Sequence, residues 1–224
     1  MKHRLLLIRH GESTWNVEHR LPGQLPGIEL TAQGRAQAQR LAAALSGLPL
    51  SAIISSPLER AVETAEFLAE GRALTIQLEP DLMDIDLGHW SGQNRDSLFQ
   101  SDPTWNAFVR NPTVAPEGVE TFPQLEQRAV TAVERWLKKD ATGAYPAFVT
   151  HSDVIKLLLV HYLGMDAGRA RALRIDNTSV SVVDMNAGQQ PIVITINWNP
   201  QPGWVHLSTS TLEKPQSEGH VVGD

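Results

Sequence analysis

Residues 5–13 read Leu-Leu-Leu-Ile-Arg-His-Gly-Glu-Ser, so four consecutive apolar residues run directly into an arginine, a histidine and a glycine. An apolar run without polar alternation is typical of a strand buried on both faces, as in a parallel sheet covered by helices. Such a strand presents Arg9 and His10 at its carboxyl end, which is where α/β sheets expose their ligand-binding groups. Gly11 then allows the backbone to turn sharply.

The same arrangement recurs twice along the chain. Residues 52–55 form a short predicted strand, and the following Ser56-Pro57 predicts a helix cap with proline in the first helical position. This pattern places Arg60 on the first turn of a helix. A third predicted strand, residues 147–150, delivers His151 just before another apolar helix. If the three strands are neighbours, two arginines and two histidines converge beside helix N-termini, which favour anions.

These four side chains suit the binding of a phosphoryl group. Arginine offers a planar fork that can hold two phosphoryl oxygens at once. A neutral histidine can attack phosphorus or transfer a proton. Taken singly, His151 is explained as a structural histidine and Arg60 as a surface arginine, but the combination favours a phosphate site with His10 as the candidate nucleophile.

Between these segments, the chain alternates helix and strand patterns. Residues 31–45 predict a helix capped by Thr31, with apolar residues at three- and four-residue spacing. Residues 180–184 and 192–198 predict two strands that form an antiparallel pair at the edge of the sheet. The whole pattern indicates an α/β fold: a three-layer α/β/α sandwich with a mostly parallel, mixed sheet and helices on both faces.

We expect one catalytic domain over residues 1–207. Within it, residues 86–116 are rich in aromatic, Pro, Asn and Asp residues and match no single regular element, so we interpret them as a cap over the site. Residues 208–224 are polar and aperiodic, which predicts a flexible tail.

The composition narrows the class of protein. A net charge of −6 over 224 residues, without a basic run, argues against nucleic-acid binding. The absence of cysteine excludes disulfides and thiolate catalysis, and neither a His-Glu-x-x-His nor a Gly-x-Ser-x-Gly pattern occurs. The apolar run of residues 5–8 is too short for a signal-peptide core, so we expect a cytoplasmic protein without a membrane partner. The sequence does not decide the oligomeric state.

Three motifs occur in the order and context of a known family. They are residues 9–16 (RHGESTWN), residues 55–61 (SSPLERA) with Thr64-Ala65, and Thr150-His151. These motifs resemble the histidine phosphatase superfamily, in the branch that contains the cofactor-dependent phosphoglycerate mutases. The resemblance covers about residues 3–185 and is specific, because the three motifs match in sequence order. Within the branch, the chain looks like a bacterial subgroup of probable phosphomutases.

The resemblance implies a role for each motif residue. His10 would be the nucleophile that becomes phosphohistidine, and the phosphoryl oxygens would be held by Arg9, Asn16, Arg60 and His151, with His151 also counted as catalytic. The implied reaction consists of two in-line displacements, from the phosphate ester to His10 and then to water. It implies a small phosphomonoester as substrate, no cofactor and no metal.

The leaving alkoxide needs a proton, which the family takes from an acid in a motif resembling Leu-x-Glu-x-x-x-Gly-x-Trp. Here residues 82–90 read Leu-Met-Asp-Ile-Asp-Leu-Gly-His-Trp, which places Asp84 where the family usually has Glu. Aspartate is shorter by one methylene, about 1.5 Å, whereas a general acid must come within about 3 Å of the oxygen that it protonates. We interpret Asp84 as the general acid, with Asp86, Asp153 and Glu120 as alternatives.

Three residues are candidates for the mouth of the site: Glu120, Trp90 and Asp153. Glu120 lies in a segment that resembles the Gly-Glu-Ser stretch of phosphatase members, just before a helix predicted over residues 123–139. The alternative for both Glu120 and Asp153 is a carboxylate near a helix N-terminus that the dipole stabilises. The alternative for Trp90 is burial against the sheet.

We expect a phosphatase rather than a mutase. The mutases of the family hold the substrate carboxylate with a paired-arginine motif, and this chain contains no Arg-Arg pair. A bisphosphate-primed phosphomutase is the alternative activity. A second alternative is a sensor or interaction protein that binds a phosphate ligand and turns over slowly, suggested by Asp84 and by Ser152-Asp153 after the second histidine.

Overall fold

The computed structural model describes residues 2–201, which contain one mixed sheet of six strands. The sheet order is β3-β2-β4-β1-β5-β6. Strands β1 to β4 are parallel wherever they pair, and β5 runs antiparallel to both β1 and β6. The strands are β1 (Lys2–Arg9), β2 (Ala52–Ser55), β3 (Ile76–Leu78), β4 (Pro146–Thr150), β5 (Val180–Asn186) and β6 (Ile192–Trp198). The predicted mostly parallel sheet with an antiparallel edge pair is confirmed.

Helices connect these strands on both sides of the sheet. Within residues 2–201, no helix has both the length and the apolar character needed to span a membrane. The α-helices are α1 (Thr14–Val17), α2 (Ala32–Ala44), α3 (Glu59–Ala69), α4 (Arg95–Ser101), α5 (Pro103–Arg110), α6 (Phe122–Leu137) and α7 (Ser152–Tyr162). Short 3-10 helices occur at Pro80–Leu82, Gly88–Trp90, Asp140–Thr142 and Ala167–Ala172.

The apolar residues of β1 pack into two separate hydrophobic layers, one on each face of the sheet. Leu5 and Leu7 are completely buried in a cluster that includes side chains of α6 and α7. Leu6 and Ile8 point to the opposite face, where they pack with residues of α2 and α3. Because successive strand residues face opposite sides, a strand covered on both faces must be apolar at every position. The predicted three-layer architecture is confirmed.

Residues 86–116 form a compact unit of short elements rather than one regular element. It contains the 3-10 helix Gly88–Trp90 and the helices α4 and α5. Asn94 caps α4 by accepting the backbone N–H groups of residues 96 and 97. Asp102 caps α5 in the same way, which explains why the Asn and Asp residues of this segment interrupt any longer helix.

Trp90 lies in the interior of this unit, where it is completely buried. Its indole Nε1 donates a hydrogen bond to Asp102 Oδ2 at 2.8 Å. Its ring packs on Trp105 and Phe108, with centroids 5.1 and 5.4 Å away. Trp90 therefore stabilises the cap from within, as the burial alternative anticipates.

The predicted cap of α3 is wrong. The helix begins at Glu59, and the N-cap position is Leu58, which makes no side-chain capping hydrogen bond. Ser56 lies upstream of the helix, where its hydroxyl accepts the Leu58 N–H at 3.3 Å and lies 2.9 Å from His151 Nε2. Arg60 nevertheless lies on the first turn, as predicted. The predicted tail, residues 208–224, lies outside the described residues, and the single domain over residues 1–207 stays a prediction.

The loop after β1 packs tightly against the first turn of α2. A Cβ atom added at Gly34 would lie 2.0 Å from the backbone oxygen of Glu12. We expect Gly34→Ala to lower the free energy of unfolding by about 2 kcal/mol, because the loop must shift to admit the methyl group. Gly47→Ala is the matched control, since no atom lies within 4 Å of its added Cβ. Equal urea midpoints for the two variants would contradict the close contact.

Candidate active site

His10 follows β1 and is almost completely buried, with 2% of its surface exposed. Its ring Nδ1 lies 2.7 Å from the backbone oxygen of Gly11. A proton on Nδ1 is donated to this oxygen, so the lone pair of the neutral ring is on Nε2. Burial lowers the pKa of His10 well below its usual value, and the positive charges of Arg60 and Arg9 lower it further. His10 is therefore held as a neutral imidazole with one free nitrogen.

Two arginines lie beside this imidazole with unused donors. Arg60 is completely buried, and its Nη2 donates to the Gly23 backbone oxygen at 3.0 Å. Its Nε and Nη1, like Nε of Arg9, are buried without a hydrogen-bond partner among the described residues. Arg9 is anchored by Nη1, which donates to the Ile175 oxygen at 2.8 Å. Leaving such donors unsatisfied costs about 1–3 kcal/mol each, which an oxyanion would recover.

His151 completes the group of four side chains predicted to converge. Its ring centroid lies 5.1 Å from that of His10. The Ser56 hydroxyl is bound to its Nε2, while its Nδ1 lies 3.6 Å from Asp84 Oδ2. Burial, followed by the positive charges of Arg60 and Arg9, lowers its pKa well below the usual value. His151 is thus a neutral histidine at the same strand edge.

Asn16 borders the same cavity and is fixed by two hydrogen bonds. Its Oδ1 accepts the backbone N–H of Ser13 at 3.0 Å and the side-chain amide of Asn177 at 3.2 Å. Asn177 also donates to the backbone oxygen of His10 at 3.1 Å. Because its carbonyl oxygen is occupied, Asn16 keeps its NH₂ group as a donor for a ligand.

Asp84 lies next to Arg60 and His151 although it is shorter than glutamate. Its Oδ2 lies 3.3 Å from Arg60 Nη2 and 3.6 Å from His151 Nδ1. Burial raises the pKa of Asp84, although Arg60 and the hydrogen bond from the Ile85 N–H act in the opposite direction. The raised pKa favours the protonated form that a general acid requires.

The alternative acids have different environments. Asp153 borders the cavity, but its Oδ1 accepts a hydrogen bond from Lys156 Nζ at 3.0 Å. Burial acts to raise the pKa of Asp153, but Lys156, Arg171 and Arg9 outweigh it and lower that pKa. Asp86 is exposed, and its Oδ1 accepts the backbone N–H of Gly88 at 2.9 Å. The environment of Asp153 thus disfavours a proton donor, and Asp86 does not line the cavity.

Glu120 lies behind the Asp84 loop and does not line the active-site cavity. Its carboxylate accepts hydrogen bonds from Arg128 Nε at 2.6 Å and Nη2 at 2.9 Å. Arg128 also donates to the backbone oxygens of Asp81, Met83 and Asp84, each at 2.8 Å. The Glu120–Arg128 pair therefore fixes the backbone that carries Asp84.

We expect Arg128→Gln to lower the free energy of unfolding by about 3 kcal/mol, because it removes five hydrogen bonds to a half-buried carboxylate and to three carbonyl oxygens. Amide hydrogen exchange should also become faster in the Asp84 loop, which loses its support. Arg135→Gln is the matched control on the same helix, because Arg135 is exposed and pairs with Glu79 and Asp81. Thermal unfolding and hydrogen exchange measure the two effects, and equivalent behaviour of the two variants would disprove the supporting role.

The site opens into a cavity of about 370 Å³. Arg9, His10, Asn16 and Asp84 border it on the sheet side. Within residues 2–201, no group of three or more His, Cys, Asp or Glu side chains is arranged to hold a metal ion. The cap contributes a largely apolar wall of Leu87, Phe99, Trp105, Phe108 and Val109. The volume and this wall suit a small organic ligand attached to an anion.

Sequence reasoning missed several residues that support the site. Ser56 belongs to a motif that the sequence shows, but its hydroxyl is hydrogen-bonded to His151 and does not cap a helix. Asn177 and Arg128 have no motif that would reveal their contacts, because their partners are distant in sequence. The backbone oxygen of Gly23, which accepts from Arg60, carries no side-chain signal at all.

Comparisons with known proteins identify the family and agree with the fold. The chain belongs to the histidine phosphatase superfamily, since the model of its branch 1 matches residues 5–199. A probable phosphoglycerate mutase GpmB of Escherichia fergusonii is 35% identical over 186 residues, which cover 82% of this chain and 85% of that protein.

Solved structures give the same assignment. Bacillus stearothermophilus YhfR superposes with a TM-score of 0.80 and 34% identity, covering 86% of this chain and 95% of its own. The alpha-ribazole phosphatase from Shigella flexneri has a TM-score of 0.78 and 30% identity, with 87% and 96% coverage. The relatives are thus named as both mutases and phosphatases, and the family acts on phosphorylated substrates.

Proposed function

We propose that this protein is a phosphomonoester hydrolase that acts through a phosphohistidine on His10. The observation that carries the proposal is the neutral His10 ring, whose Nδ1 binds the Gly11 oxygen. Its Nε2 lies beside buried arginine donors, and neither it nor these donors have a hydrogen-bond partner within residues 2–201. A nucleophile toward phosphorus needs a lone pair, and the phosphoryl oxygens need fixed positive charge. Both requirements meet at the carboxyl end of β1.

In the first step, His10 Nε2 forms a bond to phosphorus while the ester P–O bond breaks, and the Asp84 carboxyl group gives its proton to the leaving alkoxide. In the second step, water attacks phosphorus, its proton passes to the Asp84 carboxylate, and the N–P bond breaks to release phosphate. Arg9, Arg60 and His151 hold the phosphoryl oxygens through both displacements. The reaction thus returns His10 and Asp84 to their starting protonation states.

The position of Asp84 supports this role although aspartate is the shorter acid. Its Oδ2 lies 3.3 Å from Arg60 Nη2 and 3.6 Å from His151 Nδ1, two groups that would hold the phosphate. An ester oxygen on a phosphorus bound there would be a neighbour of this carboxyl group, as proton transfer requires.

A phosphatase is favoured over a mutase by the absence of an Arg-Arg pair in the sequence. A mutase remains the second candidate because a relative at 35% identity carries that name. The two activities differ in the fate of the phosphoryl group. A mutase depends on a bisphosphate primer and transfers phosphate without net release, whereas a phosphatase passes it to water.

The deciding experiment measures phosphate release from a panel of phosphomonoesters in the presence of a chelator, with rapid acid or base quench to trap phosphoprotein. We expect release that the chelator does not diminish, together with acid-labile, base-stable phosphate mapped to His10. Transfer between substrate positions only with a bisphosphate primer would instead establish the mutase. Tight ester binding without turnover of any ester would favour the sensor.

The pH dependence should follow from the shifted pKa values of His10 and Asp84. The lowered pKa of His10 keeps the nucleophile neutral as the pH falls, and the raised pKa of Asp84 keeps the acid protonated as the pH rises. We expect kcat/KM for alkyl phosphates to be highest in the acidic range and to fall as Asp84 loses its proton. The ratio of alkyl to p-nitrophenyl phosphate rates should fall with it, and a ratio independent of pH would contradict this assignment.

A further inference from the structure

The outer wall of the active-site cavity carries four more cationic side chains: Arg20, Arg95, Lys156 and Arg171. Three of them already have partners. Arg20 Nε donates to the backbone oxygen of Gly92 at 3.0 Å, and Lys156 Nζ donates to Asp153 Oδ1 at 3.0 Å. Arg95 lies 3.8 Å from the carboxylate of its own neighbour in α4.

Arg171 differs from these three. It lies on the 3-10 helix Ala167–Ala172 after α7. Its guanidinium carbon is 5.0 Å from the Phe122 ring and 5.8 Å from the Phe108 ring, and it forms no ion pair with a described residue. The negative charge of Asp153 acts on the Arg171 guanidinium and raises its pKa, against the larger effect of burial. The Asp153 carboxylate itself is hydrogen-bonded to Lys156. Two aromatic rings thus hold a guanidinium whose donors are available to the cavity.

We propose that Arg171 binds a carboxylate on the organic part of the substrate, a role that rests on the proposed phosphatase function. The planar fork of arginine matches a carboxylate with two parallel hydrogen bonds. In this part of the cavity, the charges of Lys156, Arg171 and Asp153 sum to one positive charge. One positive charge complements a carboxylate, which is a monoanion, better than it complements a second phosphate. The neighbouring Phe108 and Trp105 would pack against the carbon chain that joins the two anionic groups.

The test compares two esters that differ in one group. 3-Phosphoglycerate carries a carboxylate where glycerol 3-phosphate carries a hydroxymethyl group, and both are phosphorylated on a primary alcohol. We expect the parent protein to favour 3-phosphoglycerate, and Arg171→Gln to lower kcat/KM for that ester by about 30-fold, the worth of a charged hydrogen bond. The kcat/KM for glycerol 3-phosphate should change by less than about threefold.

Two further variants test whether the effect of Arg171→Gln comes from carboxylate recognition rather than from a change in charge or in folding. Arg169→Gln removes the same charge from the same 3-10 helix, but Arg169, which is exposed like Arg171, does not line the cavity. It should leave both rates near those of the parent. Arg171→Lys keeps the charge without the planar fork and should retain only part of the preference. Equal rates of the parent on both esters, or an equal loss on both in Arg171→Gln, would overturn the proposal.

Binding distinguishes this proposal from the hydrolase function. Calorimetry of both esters with His10→Ala, and with His10→Ala combined with Arg171→Gln, requires no turnover. Tighter binding of 3-phosphoglycerate that is lost with Arg171 supports the carboxylate site even if the parent hydrolyses neither ester. Equal affinities for the two esters in His10→Ala would overturn the site even if the hydrolase function stands.

Discussion

Replacement of His10 by alanine is expected to lower kcat/KM by about 10⁵-fold on every phosphomonoester, because no other group near the phosphate can form the covalent intermediate. In His151, Nε2 lies 2.9 Å from the Ser56 hydroxyl and Nδ1 lies 3.6 Å from Asp84 Oδ2, so we expect neither nitrogen to replace His10 Nε2. Phosphate binding should persist, because Arg9 and Arg60 are unchanged. Rapid quench should find no phosphoprotein in this variant.

His161→Ala is the control for removal of an imidazole. His161 is an exposed residue of α7 whose Nδ1 lies 2.9 Å from Glu126 Oε1. Its replacement should leave kcat/KM within about twofold of the parent value. A His10→Ala protein that keeps substantial activity, with phosphate trapped elsewhere, would exclude His10 as the nucleophile.

The second large effect is expected for Asp84→Asn. Asparagine has nearly the same shape but has no carboxyl proton to give to a leaving alkoxide. We expect kcat/KM for alkyl phosphates to fall by about 10³-fold, with p-nitrophenyl phosphate affected by less than about tenfold, because its leaving group is stable as an anion. The comparison uses kcat/KM because this constant reports phosphoryl transfer to His10 and excludes the later attack by water.

Asp86→Asn provides a matched control for this variant. It removes the same charge two residues away, from a carboxylate that is exposed and bound to the Gly88 N–H. Its effect on both esters should be small. If Asp84→Asn slows alkyl and aryl esters equally, Asp84 serves electrostatics or structure, and the proton must come from another group.

The predictable parts of the molecule are those with local causes. The apolar run of residues 5–8 requires apolar layers on both faces, and the structure has both. Arg60 lies on the first turn of α3 even though the predicted cap is wrong. Asp84 lies beside Arg60 because the spacing to Gly88 and Trp90 fixes its place in the loop.

The parts that could not be predicted depend on tertiary contacts that no local sequence pattern reveals. Ser56 has the local chemistry of a cap, but a histidine 95 residues later binds its hydroxyl. Glu120 has the sequence context of a residue at the mouth, but Arg128, on the next helix, binds it behind the loop. Trp90 has an amphipathic side chain that suits either place, and its hydrogen bond to Asp102 decides for the interior. In each case a tertiary contact outweighs the local preference.

In the proposed mechanism, the hydrogen bond from His10 Nδ1 to the Gly11 oxygen also selects between two isomers of the intermediate. Imidazole can carry phosphorus on either nitrogen, and here only the nitrogen remote from the main chain would be free to react. The regiochemistry of the proposed phosphohistidine would thus be set by a peptide carbonyl rather than by a side chain. Every amino acid supplies that carbonyl, so substitutions around the site can change specificity during evolution without changing which isomer forms.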